Sequence, residues 1–170
     1  MIERLKRPVG PIDLAALSGL LVAAVAAGEA VSFLAPFDRD QASAWWVKTL
    51  AAADPRAIIL VARDGGVIVG SVQLHPSWAP NQPFRAEISK LLVHPDFRRR
   101  GWATRLMRTI DGEARAAGFR LLTLDAKRDA PAHHLYAQLG WTLVGTIPDF
   151  ALDPDGVSPH DAVVMYRALG

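Results

Sequence analysis

The chain has 170 residues, 51% apolar and 21% charged, a balance that suits a globular domain with a real core and excludes a disordered or fibrous chain. It holds no cysteine, which removes disulfides, thiol nucleophiles and thiolate metal sites and fits a reducing, cytoplasmic setting. A net charge of +2 is too small to mark a nucleic-acid or membrane partner by itself.

No repeat, low-complexity tract or linker divides the sequence, so residues 1–170 read as a single domain. Met1 to Pro11 reads as an arm or short edge strand, and Asp13 is placed to cap a first helix over 14–29. The apolar run Leu14 to Ala27 follows Arg4, Lys6 and Arg7 and so resembles the basic and apolar parts of a signal peptide. Pro8, Pro11 and Asp13 interrupt the junction, Ser18 and Gly19 dilute the run, and Glu29 closes it. It is also shorter than the ~18 residues a membrane span needs, so a helix packed on the core is expected. A second helix is expected near 40–53, capped by Asp38 or Asp40. Its neighbours Trp45 and Trp46 point about 100° apart, so one faces the core, and packing is preferred to a ligand cage.

Ala57 to Ala62 and Val67 to Leu74 are β-branched, apolar runs around Arg63-Asp64-Gly65-Gly66, the pattern of a β-hairpin. Residues 75–85, with Pro76, Pro80 and Pro83, predict a loop whose Trp78 and Phe84 are placed to form part of a substrate wall. A strand over 86–93 follows and stops at Pro95. From Gly101 to Ala117 the apolar residues Ala103, Leu106, Met107, Ile110 and Ala114 keep helical spacing, and Gly118 ends the run. Arg120 to Asp125 is a further strand, making a βαβ unit with parallel strands and a right-handed crossover. Pro131 opens another helix, with Asp129 as its cap and Gly140 as its stop. Trp141 to Ile147 and Ala162 to Arg167 read as two final strands joined by a loop containing Pro148, Asp153-Pro154-Asp155-Gly156 and Pro159.

Chemistry concentrates between Glu87 and Leu106, where a short strand leads through three arginines and a glycine into a helix. The first turn of a helix carries unpaired N–H groups and the positive end of the macrodipole, and glycine lets a ligand approach the backbone, so this junction is suited to a phosphate. Arg98, Arg99, Arg100, Arg105 and Arg108 also make a basic cluster of the kind that binds nucleic acid. Asp96 and Asp111 dilute it, and no groove-reading motif accompanies it.

The segment Arg98-Arg99-Arg100-Gly101-Trp102-Ala103 resembles the R/Q-x-x-G-x-G/A signature of the GNAT family, the Gcn5-related N-acetyltransferases, with Leu91, Val93 and Pro95 before it. Asp129-x-x-Ala132-x-x-Leu135-Tyr136-x-x-Leu139-Gly140-Trp141 resembles the family's second signature, N-x-x-A-x-x-L-Y-x-x-L-G-F. The resemblance covers about 57–169 and extends to the first 56 residues in element order only. It departs at Asp129, where the family often has Asn, and at Trp102, which predicts a bulkier loop. From Gly145-Thr146-Ile147-Pro148-Asp149-Phe150 through His160 to Val164-Met165-Tyr166-Arg167 the ending resembles tabtoxin-resistance-type acetyltransferases, which implies a small, amino-acid-like acceptor such as a toxin or antibiotic.

That resemblance implies the α/β acyl-CoA N-acyltransferase fold: a mixed, mostly antiparallel, twisted sheet of about seven strands with one central parallel pair and helices on both faces. It implies acetyl-CoA as co-substrate, its pyrophosphate on Arg98 to Thr104 and Asp129 nearby, its pantetheine arm paired like an extra strand with Leu91, Leu92 and Val93. Leu92 N–H is the expected oxyanion donor. An amine nucleophile is mostly charged at neutral pH, so a carboxylate must take its proton. Glu87 and Asp125 both match base positions of the family, and the choice between them stays open. Tyr136 matches its acid, a role that requires a hydroxyl still protonated where a thiol has ionised.

His133 and His134 are adjacent on a helix and diverge, so they are not a chelating pair, and no metal is expected. His160, beside Asp161, is placed either to line the acceptor pocket with Trp78, Glu87 and Asp125 or to lie exposed or cap the loop. The expected reaction is direct transfer of acetyl to a primary amine of a small molecule, with no nucleic-acid or membrane partner, by a monomer or homodimer. A protein or peptide amine is the second possibility, and a non-catalytic CoA-binding or nucleic-acid module the third.

Overall fold

In the computed structural model, which describes residues 1–170, the chain runs β1 (Ile2–Arg4), α1 (Pro11–Ala26), α2 (Arg39–Ala52), β2 (Ile58–Asp64), β3 (Val67–Pro76), β4 (Arg85–Val93), α3 (Trp102–Ala116), β5 (Leu121–Lys127), α4 (Pro131–Gln138), β6 (Thr142–Leu152) and β7 (Pro159–Ala168). The seven strands form one sheet in the order β1-β2-β3-β4-β5-β7-β6. Only β4 and β5 run parallel, joined by the crossover helix α3, as expected from the βαβ pattern.

β2 and β3 are buried on both faces, which is why they read as unbroken apolar runs rather than alternating ones. The hairpin between them turns on Gly65 and Gly66, both at positive φ (55° and 86°), the geometry that right-handed strand twist demands. One face, with Ile58, Leu60, Leu74, Ile88 and Leu122, receives Leu106, Met107, Ile110 and Ala114 of α3. On the other, Leu17, Leu20 and Leu21 of α1 and Trp46 of α2 pack on Ile59, Val61 and Ile68. Trp46 is the member of the tryptophan pair that faces inward, and its Nε1–H donates to the Leu17 carbonyl at 3.1 Å, tying α2 to α1.

Local signals failed in three places. Asp13 does not cap α1, whose N-cap is Gly10 with Pro11 in the first turn; its carboxylate instead accepts two hydrogen bonds from Arg63, at 2.8 and 2.7 Å. Asp129 does not cap α4 either: it lies one residue too early, at φ 60°, and its carboxylate faces Arg128 while Ala130 stands at the N-cap. The expected long loop 148–161 is mostly strand. β6 continues past Pro148 to Leu152, and the turn is confined to residues 153–158. Proline is tolerated because β6 is the edge of the sheet and bulges between Ile147 and Ala151, so no ladder bond is lost. At α2 the sequence reading holds, with Asp38 and Gln41 forming a reciprocal capping box.

Candidate active site

The site begins with a gap in the sheet. β4 pairs with β5 over only three positions, Arg85↔Leu121, Ala86↔Leu122 and Glu87↔Thr123. Beyond them β4 stays with β3 and β5 stays with β7 as far as Lys127↔Ala162, so the two parallel strands part. A bulge in β4 accompanies the parting: Ser71↔Leu92 and Gln73↔Ser89 leave Lys90 and Leu91 opposite the single residue Val72. Lys90 takes the left-handed conformation at φ 50°, and the Ser71 hydroxyl donates to its carbonyl at 3.5 Å. Gly70 lets β3 lie close to the end of β4, since a Cβ there would sit 2.9 Å from the Leu92 carbonyl oxygen.

The register corrects the expected oxyanion donor. His94 N–H donates to the Val69 carbonyl, which makes 69 and 94 a hydrogen-bonded pair. Antiparallel pairs alternate, so Gly70 and Val93 are a non-bonded pair and Leu92 turns its N–H toward Ser71. The backbone groups facing the gap are those of Leu91 and Val93.

Immediately after β4 the chain makes a short 3₁₀ turn (Pro95–Phe97) and enters α3. Gly101, at φ 76°, is the N-cap and supplies no side-chain hydrogen bond, and Arg99 is also left-handed at φ 57°. None of the backbone N–H groups from Arg99 to Thr104 donates to a protein acceptor. They border a cavity of about 190 Å³ lined by Val93, Phe97, Arg98, Arg99, Gly101, Trp102, Ala103 and Thr104. Trp102 does not crowd it as expected: its indole turns down into the core, 7% exposed, under the Arg105 guanidinium. Of the three arginines, Arg98 pairs with Glu29 and donates to the Val93 carbonyl at 3.2 Å, while Arg100 bonds the Asp96 carbonyl and lies over Phe97. Burial pushes the Glu29 carboxyl up, and Arg98 opposes that rise. Arg99 is exposed and makes no ion pair.

The expected catalytic groups come from separate elements beside the gap. Glu87 and Asp125 project from β4 and β5 to the face carrying α1 and α2, since Glu87 is opposite Thr123 and Asp125 lies two residues further on. Tyr136 comes from α4 on the opposite face, 6% exposed and packed at 5.8 Å on Trp141. Burial, and then the charge of Asp125, raise its pKa well above the ordinary tyrosine value. The hydroxyl therefore stays protonated at neutral pH beside the gap.

Other expected site residues are placed elsewhere or engaged. Trp78 stands out from the 77–84 loop, 91% exposed, and contributes no wall. His160 is enclosed rather than open to the gap: its Nδ1 is buried without a hydrogen bond, 3.0 Å from Asp153, whose carboxylate takes both short bonds of Lys127 Nζ at 2.7 Å beside the β6–β7 turn. Asp129 is exposed on the loop before α4, with its carboxylate 3.5 Å from Arg128. Sequence reading overlooks Lys90 and Gln73 and takes His75, which lies in β3, for a loop residue. His75 lies opposite Glu87 and donates through Nε2 to Gln73 Oε1 at 2.7 Å; burial, then the Lys90 charge, lower its pKa and keep it neutral. Lys90 is described below.

A central parallel pair that splits beside an uncapped, glycine-led helix N-terminus defines the acyl-CoA N-acyltransferase fold. The profile of the acetyltransferase (GNAT) family matches residues 24–141, more than half of the chain, and the chain belongs to that family. An uncharacterised N-acetyltransferase of Azospirillum brasilense, encoded in the hisH-hisA intergenic region, is 38% identical over 106 residues, which span 61% of this chain and 62% of that protein. The fold matches an N-acetyltransferase of Staphylococcus aureus Mu50 with a TM-score of 0.82 at 22% identity, covering 100% of this chain and 98% of that one. It matches yncA of Salmonella typhimurium, solved with acetyl-CoA, with a TM-score of 0.79 at 21% identity, covering 100% and 94%.

Acetyl-CoA is the co-substrate of this family, and the residues present fit it. Six consecutive free N–H groups at a helix N-terminus with two left-handed residues suit a pyrophosphate. The unpaired edge of β4 suits the amide-bearing arm, as a peptide would add to a sheet. No three His, Asp or Glu side chains stand together as a metal-binding group, and no helix is long and apolar enough to cross a membrane. Replacing Gly101 by Val is expected to weaken acetyl-CoA binding at least tenfold in calorimetry. The space above Gly101 is open, so the cost comes from the positive φ that a β-branched residue resists.

Proposed function

We propose that the protein transfers the acetyl group of acetyl-CoA to a primary amine of a small molecule by direct attack. The observation that carries this reading is the parting of β4 from β5 beside the free N–H groups of α3, with Asp125 on the β5 side of the parting and near enough for its charge to act on Tyr136.

Bound acetyl-CoA supplies an acetyl thioester. The backbone of residues 99–104 holds its pyrophosphate, and Leu91 and Val93 hold the arm and the acetyl carbonyl oxygen through backbone hydrogen bonds. Asp125 or Glu87 takes a proton from the incoming ammonium, directly or through water, so that the amine attacks in its neutral form. As the amine nitrogen bonds the carbonyl carbon and the C–S bond breaks, the Tyr136 hydroxyl gives its proton to the sulfur, and the proton shed by the new amide nitrogen returns through solvent to the phenolate. The chain carries no cysteine to form an acyl-enzyme, which fits attack by the amine itself.

Calorimetric titration with acetyl-CoA followed by thiol release over a panel of amines tests the reading. Heat at tens of micromolar and release with small amines support it; no heat, or release only with protein or peptide amines, overturns it. Asp125→Asn is expected to lower kcat/KM about 10²-fold at neutral pH. The loss should shrink at alkaline pH, where a growing share of the amine is neutral in solution. A loss that does not change with pH, or none at all, moves the base to Glu87. Because the pKa of Tyr136 is raised, the phenol keeps its proton through the ordinary tyrosine range, and kcat should show no alkaline fall below about pH 10.

A further inference from the structure

Lys90 is the only lysine on the gap side of β4, and its surroundings are unusual for a lysine. The left-handed bulge turns its side chain onto the face of α1 and α2. There the ammonium donates to Ser32 Oγ at 3.1 Å and lies 5.6 Å from the ring centres of both Phe33 and Trp45. Phe33 and Trp45 meet edge-on at 5.4 Å, so the wall is built by the segment between α1 and α2 and by α2 itself. No carboxylate comes within ion-pair distance; Glu87 and Asp125 act on Lys90 only through their field. Burial lowers the pKa of Lys90, and these two carboxylates oppose the fall.

A second group beside it is also unmatched. Gln73 lies on β3 opposite Ser89, the neighbour of Lys90, and is 1% exposed. Its Oε1 is taken by His75, and its Nε2 has no acceptor in the protein. A buried amide donor without an acceptor is costly, and a partly desolvated ammonium without a counterion more so. Both are donors, and both lie on the face that carries Glu87 and Asp125. The cleft is therefore negative where the amine must be deprotonated and positive a short way along β4.

We propose that Lys90, with Ser32 and Gln73, forms an anion-recognition subsite in the acceptor cleft, so that the preferred acceptors are amines carrying a carboxylate. The inference rests on the acetyltransferase reading above and assigns the part of the acceptor that does not react. Charge complementarity selects a zwitterion: its ammonium goes to Asp125 and Glu87, its carboxylate to Lys90. Phe33 and Trp45 flank the ammonium, 5.6 Å from each ring centre, and lower its hydration, which strengthens a charge-assisted bond.

The test compares kcat/KM for a panel of free L-amino acids with that for their methyl esters, in the wild type, Lys90→Met and Lys90→Arg. The wild type should prefer the acids, and Lys90→Met should reduce the acid-to-ester ratio by about 10- to 100-fold, mainly through KM for the acids. Lys90→Arg should restore most of the ratio, which a purely structural lysine would not require. A ratio unchanged in Lys90→Met, or esters preferred by the wild type, overturns the subsite. So does acetylation of Lys90 itself, read by mass spectrometry, as the main product with acetyl-CoA alone. If acetyl-CoA binds and no amine is acetylated, the proposed function fails instead. Calorimetric binding of N-acetyl-L-amino acids against their primary amides then decides the subsite: binding of the acids that Lys90→Met abolishes keeps it, and equal binding of acids and amides discards it.

Discussion

Tyr136→Phe is expected to lower kcat by about 10²- to 10⁴-fold, roughly 3–5 kcal/mol of transition-state stabilisation, with acetyl-CoA affinity held within threefold. The substitution removes one oxygen from a ring that stays packed on Trp141. On the proposed mechanism, what is lost is the proton donor to the departing sulfur. Burial and the charge of Asp125 hold the phenol protonated, which makes it a poor acid at rest. It is able to act only where a basic sulfur is released next to it. Stopped-flow measurement of thiol release alongside calorimetry separates the two quantities. Equal loss of turnover and affinity would make Tyr136 a packing residue.

The second large effect is on stability. Trp46→Ala is expected to cost about 3–5 kcal/mol, the usual penalty for emptying a fully buried aromatic site. Trp46 is 0% exposed, and its removal also leaves the Leu17 carbonyl without its donor. For a chain of this size that loss corresponds to a fall in Tm of roughly 10 °C, measurable by differential scanning calorimetry. The adjacent Trp45 stacks edge-on against Trp46 at 5.0 Å, so the acceptor wall should loosen while the cradle on α3, built on the other face of the sheet, keeps its acetyl-CoA affinity. A fall of only a degree or two would mean that α1 and α2 find another way to close.

Much of this architecture was legible because its signals are local. Gly65-Gly66, Gly101, Pro131 and Gly140 each mark a backbone event within two or three residues, and the elements they bound lie where expected. Asp13 and Asp129 misled because capping competes with distant partners: Arg63, fifty positions away in sequence, claims Asp13, and the backbone conformation before α4 turns Asp129 outward. Pro148 reads as a break because sequence does not show which strand is the edge. The bulge was visible after the fact. Ala86 and Ile88 are core-facing positions of β4, and strict alternation would have put Lys90 in the core as well. A charged residue at an inward position asks for an extra residue in the strand, and the acceptor side of the site follows from that displacement. The first 56 residues matched the family in element order only, yet they supply Ser32, Phe33 and Trp45, the wall against which Lys90 rests.

The short seam between β4 and β5 also bears on how the molecule opens. Three residue pairs are all that join the strands on either side of it, so the amides of Leu91 and Val93 stand at a free border inside an otherwise continuous sheet. Ligand in the gap would act as a splint, and its presence should be written in amide hydrogen exchange. Those two positions should exchange quickly in the free protein and slowly in the complex, while Leu92, already bonded to β3, keeps the same protection in both.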